Sequence, residues 1–495
     1  MNRPVRRVCL AVIALFTLLL LNANYVQVVK ADAYRDNPGN SRVLLRTYAI
    51  QRGPIAVLAA DGRTREPVAR SVRTDGPLAY LRRYPGGSSY AHVTGFYSLV
   101  YGATGTERAE NEILSGRDDQ LFVRRISDTI TGREPAGGGV VLTLDPRAQE
   151  AAVKGLGDNR GAVVALDPST GAVLAMVSKP SYDPERLSSF TPADIRAYYD
   201  QLVKDPADPL INRGINRLYP PGSTFKVVTA AAALSSGRYA PTTRIPSPRV
   251  LDLPQTSAGL RNFGGESCGG DTITLADALR ISCNTAFADL GLKLGAGPLR
   301  EQAQAFGFGE EGFRAPTRVD ASRFPEDPNP PQTAQSAIGQ FDVRVTPLQM
   351  ALVAAGVANG GEVMRPYAVR EVDAPDESKL REASPETYGR AVSPEVARQL
   401  TEMMRLVVTR GTGRGAQIAG LQVAGKTGTA QHAPGEPPHA WFIGFAGTGD
   451  EVGGAGRKVA VAVVVEDGGN AGSEATGGAL SAPIAAAVIR AVLGQ

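Results

Sequence analysis

Residues 219–227 read Tyr-Pro-Pro-Gly-Ser-Thr-Phe-Lys-Val, and this run determines where one helix of the chain begins. The Pro-Pro-Gly break and the apolar segment 227–234 that follows it predict a helix with Ser223 in its first turn. Lys226 then lies on the same helical face. A serine hydroxyl needs an adjacent base to act as a nucleophile, and a helix N-terminus favours an oxyanion. Ser-x-x-Lys alone is a weak signal, because an exposed lysine on an ordinary helix gives the same pattern.

Two further motifs strengthen the catalytic interpretation. Ser282-Cys283-Asn284 follows a helical stretch at 275–281, and Lys426-Thr427-Gly428-Thr429 follows a strand-like run at 421–425. In their order and spacing, the three motifs resemble the active-serine signature of the penicillin-binding proteins and the class A β-lactamases. Three such motifs in the right order are far rarer by chance than any one of them.

Segments outside the motifs are similar to those of one subgroup, the class B penicillin-binding proteins. The chain carries the Arg-Gly-x-Ile segment found near the start of these proteins and the signature of their N-terminal pedestal domain. It also carries stretches similar to those that precede their third motif. These segments are 52–55, 83–86, 91–95, 339–340, 346–349 and 358–361. The resemblance spans nearly the whole chain, and within the subgroup it is greatest to the PbpA-type proteins of actinobacteria.

The pattern of apolar runs predicts an α/β (α+β) catalytic domain. Strand-like runs lie at 161–166 and 172–177, joined by a tight turn, and again at 441–445 and 459–465. An apolar helix at 483–493 closes the chain. Strands at both ends with helices between them indicate one antiparallel sheet flanked by helices. The resemblance implies the transpeptidase fold shared by penicillin-binding proteins and serine β-lactamases.

The length of 495 residues predicts two or three structural units. We expect a cytoplasmic tip and membrane anchor at 1–30, a pedestal domain at 31–139 and a transpeptidase domain at 140–495. The pedestal is elongated in this family, is too short here to be a glycan-polymerising domain, and could be an inert spacer instead. The Gly-rich segment 134–139 is expected to be a linker, and 373–394 a surface excursion.

The N-terminal segment predicts a single membrane span. Arg3, Arg6 and Arg7 precede the apolar run 8–21, and apolar character continues to Val29. The arginines place the N-terminus in the cytoplasm and the catalytic domain on the extracytoplasmic side of the cell membrane. A cleaved signal peptide is the alternative, with Ala31-Asp32-Ala33 as a possible cleavage site. The resemblance favours an uncleaved anchor.

The resemblance also implies a chemistry for each motif. Ser223 attacks a peptide carbonyl, Lys226 accepts its proton, Ser282 relays a proton to the leaving amine, and Asn284 holds the substrate backbone. Lys426 lowers the pKa of Lys226 by like-charge repulsion. The substrate's terminal carboxylate is bound by Lys426, Thr427 and Thr429, whereas the N–H groups of Ser223 and Thr429 form the oxyanion hole. The whole third motif, Gly428 included, belongs to the predicted site.

The implied substrates are peptidoglycan stem peptides that end in D-Ala-D-Ala, and β-lactams would acylate the same serine. The implied partners are a RodA/FtsW-type glycan polymerase and other wall-synthesis proteins. No cofactor or metal is expected, because His92, His432 and His439 lack ligand spacing. A net charge of +4 and only 6% aromatic residues give no support to nucleic-acid binding.

Cysteine is scarce, and two of the three residues fall in the exported part of the chain. Cys9 lies in the expected anchor, whereas Cys268 and Cys283 lie beyond it. A pair of exported thiols favours a disulfide. Two unpaired, buried thiols are the alternative.

Two other functions compete with cross-linking. A β-lactamase or D,D-carboxypeptidase would need a base to activate water, yet Glu326 does not fit the β-lactamase loop pattern. Asp277 and Asp289, the acidic residues nearest to the second motif, are expected to be helix-surface charges. The second competitor is a β-lactam sensor or an idle scaffold, which an intact set of motifs argues against.

Overall fold

The chain folds into short runs of helices and strands in the computed structural model, which describes residues 3–30, 48–76, 78–121, 131–132, 134–433, 435–448 and 456–494. The helices are α1 (Arg3–Asn24), α2 (Gly87–Thr94), α3 (Gly105–Ala109), α4 (Asn111–Leu114), α5 (Pro146–Leu156), α6 (Pro184–Leu187), α7 (Pro192–Lys204), α8 (Arg213–Asn216), α9 (Lys226–Ser235), α10 (Leu275–Arg280), α11 (Asn284–Leu294), α12 (Ala296–Ala305), α13 (Pro330–Ser336), α14 (Pro347–Ala358), α15 (Pro394–Arg410) and α16 (Ser481–Leu493).

The strands are β1 (Ile55–Leu58), β2 (Arg65–Arg73), β3 (Tyr80–Arg83), β4 (Tyr97–Ser98), β5 (Gly102–Ala103), β6 (Gly139–Leu142), β7 (Gly161–Leu166), β8 (Val173–Lys179), β9 (Arg244–Pro246), β10 (Val250–Asp252), β11 (Gly259–Arg261), β12 (Thr272–Thr274), β13 (Glu362–Met364), β14 (Val369–Asp373), β15 (Lys379–Glu382), β16 (Thr387–Arg390), β17 (Ala424–Ala430), β18 (His439–Gly447) and β19 (Lys458–Val465). Short 3-10 turns include Gly222–Phe225 and Phe263–Gly265.

A five-stranded antiparallel sheet forms the centre of the C-terminal part of the chain. Its strand order is β17-β18-β19-β7-β8, so strands from the two ends of this part lie side by side. The sheet is buried on both faces. Val163, Val461 and Val463 face α5 and α16, whereas the alternate residues Val164 and Ala462 join the larger core with the other helices. The predicted antiparallel sheet flanked by helices is therefore confirmed.

Helix α9 runs through the larger core beside this sheet. Nine of its ten residues are buried, and most of them are alanine or valine, small enough for neighbouring helices to pack closely. It contacts α11, α12 and α15. The turn that precedes α9 lies against β17, the edge strand of the sheet, so the start of the helix and the edge of the sheet meet.

A second, six-stranded sheet joins the N-terminal region to the C-terminal part. Its order is β15-β14-β6-β1-β2-β3, with β6 parallel to β1 and antiparallel to β14. The domain boundary expected after residue 139 lies at the first residue of β6, inside this sheet. The expected surface excursion at 373–394 carries β15, which extends the same sheet, and β16, which pairs with β13.

The Gly-rich segment expected to be a linker is packed rather than extended through solvent. Gly137 donates its N–H to the Gln51 carbonyl (2.8 Å), and Gly138 donates to the Ile113 carbonyl (2.9 Å). A Cβ atom on Gly53 would lie 1.8 Å from the Gly138 carbonyl oxygen. The glycines therefore allow the backbone around Gly53 and the backbone around Gly138 to approach each other closely.

A buried ionic cluster holds the N-terminal sheet against its helices. Glu107 on α3 is fully buried, and it accepts hydrogen bonds from Arg52 Nε (2.5 Å) and Arg82 Nε (2.6 Å). Burial on its own would raise the pKa of Glu107, but the two guanidiniums outweigh burial and hold the pKa below its ordinary value. The carboxylate of α3 is thus an anion shared by β3, through Arg82, and by the segment that precedes β1, through Arg52.

One apolar helix extends from the N-terminus. Residues 3–29 have a mean hydropathy of 2.1 in their most apolar window, and none of them is buried against the rest of the protein. Thr17 and Asn24 each donate a side-chain hydrogen bond to a carbonyl one turn back, which lowers the cost of placing these polar groups in an apolar helix. The helix is long and apolar enough to cross a bilayer, although a signal sequence would share these properties. The possible cleavage triplet at 31–33 lies outside the described residues.

Candidate active site

Ser223 lies in a 3-10 turn directly before α9 rather than in the α-helix itself. The Pro-Pro-Gly segment is held on both sides: Trp441 Nε1 donates to the Pro220 carbonyl (3.1 Å), and Gly222 N–H donates to the Gly339 carbonyl (2.9 Å). Gly222 adopts a φ of 52°, which glycine tolerates best. In the part of the chain that the structure describes, no hydrogen bond ties down the Ser223 hydroxyl, which lines a cleft.

The second motif lies where α10 ends and α11 begins. Ser282 adopts a left-handed conformation with a φ of 64°, unusual for a residue with a side chain. Cys283 precedes the first residue of α11, Asn284. The left-handed residue reverses the chain between the two helices, so the side chains of Ser282 and Asn284 both meet Lys226.

The third motif lies inside strand β17. The sequence placed a strand at 421–425, before the motif, whereas β17 begins at Ala424 and includes all four motif residues. Lys426 pairs with Ile443 and Thr427 with Phe442 on β18, which fixes the register of the motif. Because Gly428 has no side chain, β17 can approach the Ser223 turn: a Cβ there would lie 3.0 Å from the Pro221 carbonyl oxygen.

Two buried lysines connect the three motifs. Lys226 Nζ donates to the Ser282 carbonyl (2.7 Å), to Asn284 Oδ1 (2.6 Å) and, at 3.3 Å, to Ser282 Oγ. Lys426 Nζ donates to Ser282 Oγ (2.8 Å) and to the Thr427 carbonyl (2.7 Å). The hydroxyl of Ser282 therefore lies between the two ammonium groups.

The environment of both lysines disfavours their charged forms. Burial, followed by repulsion from Lys426, lowers the pKa of Lys226 well below its ordinary value. Burial lowers the pKa of Lys426 to about 7. The hydrogen-bond acceptors around Lys226 oppose this shift, but they are neutral groups and cannot offset burial together with a neighbouring cation. Near neutral pH, this pair can therefore supply a free amine.

The cleft over these residues has a volume of about 1040 Å³. Thr427, Gly428 and Thr429 form one wall, and the hydroxyl of Thr427 shares a hydrogen bond with that of Thr412 (2.6 Å). Among the described residues that line the cleft, Glu266 is the one carboxylate, and it is exposed. Asp277 is bonded to Thr274 and Arg280, and Asp289 pairs with Lys293. The described lining of the cleft thus presents mainly hydroxyl and amide groups around Ser223.

Cys268 and Cys283 are joined by a disulfide, with their Cα atoms 6.0 Å apart. The bond ties the middle residue of the second motif to a loop that lines the cleft. Cys9 is the remaining thiol among the described residues.

Two histidines that showed no ligand spacing meet in space. His439, at the start of β18, stacks on His432 with ring centroids 4.1 Å apart and planes 4° apart, and both rings approach Asp467. Burial, then His432, lowers the pKa of His439 to about 4. Ring lone pairs lie in the ring planes, so parallel rings do not converge on one ion. His439 Nδ1 also already accepts the Asp467 N–H (3.1 Å).

The structure adds two residues to the site that the motifs did not indicate. Thr412 lies just after α15 and contacts Thr427, and Asn262 contacts the second motif from the loop after β11. Neither lies in a recognisable pattern, since each reaches the site through tertiary packing. The Asn262–Gly265 turn, with two glycines, was the one local signal of a shaped loop.

Comparisons with known proteins agree with this geometry. The model of the penicillin-binding protein transpeptidase domain matches residues 161–490, and the model of the penicillin-binding protein A dimerisation domain matches residues 52–140. A peptidoglycan D,D-transpeptidase, PbpA, of Mycolicibacterium smegmatis is 48% identical over 100% of this chain and 99% of its own length. The protein of that name from Mycobacterium tuberculosis is 46% identical over the same shares of the two chains.

A solved structure of a relative is similar to this chain over most of the chain's length. Penicillin-binding protein A of M. tuberculosis, as a ceftriaxone acyl-enzyme complex, superimposes with a TM-score of 0.85 at 45% identity, covering 91% of this chain and 100% of that one. The expected likeness to PbpA-type proteins is thereby confirmed. The family model covers two thirds of the chain, and a relative is 48% identical over the whole of it. The protein therefore belongs to the penicillin-binding protein transpeptidase family.

Proposed function

We propose that this protein is a monofunctional peptidoglycan D,D-transpeptidase that works through an acyl-enzyme on Ser223. The observation that carries the proposal is the meeting of three groups from three separate segments. Ser223 and Lys226 lie at the start of α9, Ser282 precedes α11, and Lys426 lies on β17. The side chains of Lys226 and Lys426 nevertheless both reach the Ser282 hydroxyl. A half-buried serine that lines the cleft, three residues before a buried amine of lowered pKa, is the arrangement that a serine nucleophile needs.

In the acylation step, Ser223 Oγ attacks the carbonyl between the last two residues of a stem peptide ending in D-Ala-D-Ala. Neutral Lys226 takes the hydroxyl proton. The N–H groups of Ser223 and Thr429 stabilise the oxyanion, and the packing of β17 against the Ser223 turn supports this role. Ser282 passes a proton to the departing amine. The peptide C–N bond breaks, D-alanine leaves, and an ester remains on Ser223.

Substrate orientation falls to the third motif and to Asn284. The terminal carboxylate of the substrate pairs with Lys426 and the hydroxyls of Thr427 and Thr429, which face the cleft. Asn284 binds the peptide backbone of the substrate. Gly428 keeps the strand close enough to the nucleophile for these contacts to occur together.

The second half of the reaction returns the acyl group to an amine. The amine of a second stem peptide attacks the ester carbonyl, and the bond between that carbon and Ser223 Oγ breaks as the new amide forms. Lys226 accepts the proton of the amine and returns it to Ser223 Oγ. β-Lactams, which mimic the terminal dipeptide, acylate the same serine. The acceptor is favoured over water because Asp277 and Asp289 are engaged on helix surfaces and Glu266 is exposed to solvent.

The whole-chain arrangement follows from the N-terminal helix. Residues 1–30 anchor the protein in the cell membrane as a single span, residues 31–139 form a pedestal, and residues 140–495 carry out transpeptidation outside the cytoplasm. The family models that match the chain are a transpeptidase and a dimerisation domain, which supports a protein that works beside a RodA/FtsW-type polymerase and other wall-synthesis proteins, with the pedestal as the part that contacts them.

The test is to locate a penicillin adduct. The full-length protein in detergent is treated with penicillin, digested and analysed by mass spectrometry. We expect one adduct, on Ser223, and none on the Ser223→Ala variant, because that side chain packs little and its loss leaves the fold intact. Ser235→Ala, at the exposed end of α9, is the matched control and should label as the wild type does. An adduct that persists on Ser223→Ala would rule out this nucleophile.

A further inference from the structure

The second motif depends on a residue that lies outside all three motifs. Helix α11 begins at Asn284, and its first N–H groups need acceptors. The residue before it, Cys283, cannot supply one from its side chain, because its sulfur is in the disulfide. The acceptor comes from another segment: Asn262 Oδ1 accepts the N–H groups of Asn284 (2.8 Å) and Thr285 (3.1 Å). The cap of α11 is therefore supplied from the loop after β11.

The other half of the Asn262 side chain fixes its own loop. Asn262 Nδ2 donates to the Glu266 carbonyl (2.9 Å), and the Asn262 carbonyl accepts the Gly265 N–H (2.9 Å). Asn284 Nδ2 returns a contact to the Arg261 carbonyl at 3.3 Å. The loop and the start of α11 are thus joined by several hydrogen bonds in addition to the disulfide.

The groups held in this way are those that both lysines contact. Lys226 Nζ bonds the Ser282 carbonyl and Asn284 Oδ1, and Lys426 Nζ bonds Ser282 Oγ. Ser282 itself has a φ of 64°, a conformation that surrounding contacts must maintain. A shift of the α11 start would move these acceptors away from the lysines together.

We propose that Asn262 is a positioning residue of the active site, which caps α11 from outside and thereby sets where Ser282 and Asn284 meet the two lysines. Among the described residues, its side chain bonds the start of α11 and its own loop, and no hydrogen bond joins it to Ser223. The proposal rests on the proposed function, because its effect is measured on the acylation of Ser223.

The test compares two substitutions of one residue by stopped-flow acylation with a chromogenic cephalosporin. Asn262→Ala removes the cap, and we expect its acylation rate constant to fall about 10- to 100-fold, the effect of a displacement near 1 Å. Asn262→Asp keeps the acceptor oxygen and adds a charge that a helix N-terminus favours, so its rate should lie within about threefold of wild type. Thr256→Ala, in the exposed turn of the same β10–β11 hairpin, is the control and should leave the rate unchanged.

A second readout separates positioning from a loss of folded protein. The final stoichiometry of label counts folded sites, and it should stay at about one per chain in Asn262→Ala. The acid limb of the rate–pH profile should move to lower pH, since Lys226 loses acceptors that stabilise its charged form. An unchanged rate, or a lower rate with an unmoved acid limb, would overturn the proposal. Failure of the wild type itself to acylate would instead refute the proposed function.

Discussion

Lys226 and Lys426 are both fully buried, and Ser282 Oγ lies within hydrogen-bond distance of each. Two ammonium groups in one dry site repel each other, so their protons leave in coupled steps that belong to the pair. Burial, together with this coupling, lowers the pKa of Lys226 and gives the enzyme a free amine near neutral pH without a carboxylate or histidine base.

Removing the charge of Lys426 should move the pH dependence of acylation. Acylation needs neutral Lys226, so its rate falls as the pH drops and Lys226 takes a proton. In Lys426→Met, the repulsion that lowers the pKa of Lys226 is gone, so that pKa rises and the acid limb moves to higher pH. Rate–pH profiles of acylation measure the shift. Lys293→Met, on the surface of α11, should keep the wild-type limb, and an acid limb that stays in place in Lys426→Met would disprove the coupling.

The acyl-enzyme should persist in water. Among the described residues, the two carboxylates nearest to the second motif in sequence, Asp277 and Asp289, are bonded to neighbouring side chains, so neither is poised to activate a water molecule. We expect a penicilloyl label on the full-length protein, followed after removal of free penicillin, to be lost over hours. An added D-amino acid or stem-peptide amine should speed its release. Loss within seconds would point to an activated water and to a β-lactamase.

Much of the candidate site could be predicted at the level of single residues, because its motifs are short and local. Ser223 and Lys226 lie on one turn, so their proximity is a matter of helical spacing. The contact of Lys426 with Ser282 depends on packing between segments 144 residues apart, and here only resemblance pointed to it. Asn262 and Thr412 belong to no motif, and the residues that they contact in the site are set by the tertiary fold.

At the scale of elements, the loop between β11 and β12 is tied to the start of α11 twice, by the Asn262 cap and by the disulfide. Alkylation tests the second tie. Without reductant, we expect only Cys9 to react in the denatured full-length protein, and all three cysteines after reduction. Closing a loop of 15 residues stabilises the fold by roughly 3 kcal/mol in the chain-entropy model. Three reactive thiols before reduction would show the pair to be unbonded.

Elements built from local patterns were predicted well, and elements that depend on distant partners were not. The runs at 161–166 and 459–465 became β7 and β19, because both are continuous apolar strands buried on two faces. The segment 373–394 is mostly exposed and polar, and β15 forms there because β14 offers it an open edge. Composition could not reveal that pairing, nor the close backbone contact of the expected linker.

The stability of the N-terminal sheet, and with it that of the whole molecule, depends on the ion pairs of Glu107 with Arg52 and Arg82. Glu107→Gln leaves two buried guanidiniums without their counterion, and it should lower the free energy of unfolding by about 3–5 kcal/mol. Glu112→Gln, which breaks an exposed pair with Arg117, should cost at most about 1 kcal/mol. Denaturant titration measures both, and equal effects would show that burial of the cluster is unimportant.

The same cluster should make the molecule sensitive to acid. The folded-state pKa of Glu107 is below its ordinary value, so its stabilising effect is complete above about pH 4.5, the unfolded value. The effect is lost as the pH falls further, through the folded-state pKa. This component of acid sensitivity should be missing in Glu107→Gln.

The six-stranded sheet contains strands from both the N-terminal region and the C-terminal part, and it therefore also sets the order in which the chain can fold. β1, β2, β3 and β6 leave the ribosome early, but β14, which covers the open edge of β6, follows roughly 230 residues later, about 10–50 s at typical rates of synthesis. During that interval the nascent N-terminal sheet exposes an unpaired edge, which is a template for wrong pairing. The N-terminal sheet therefore cannot be completed until β14 has been synthesised. Correct folding of the chain depends on keeping the edge of β6 covered until then.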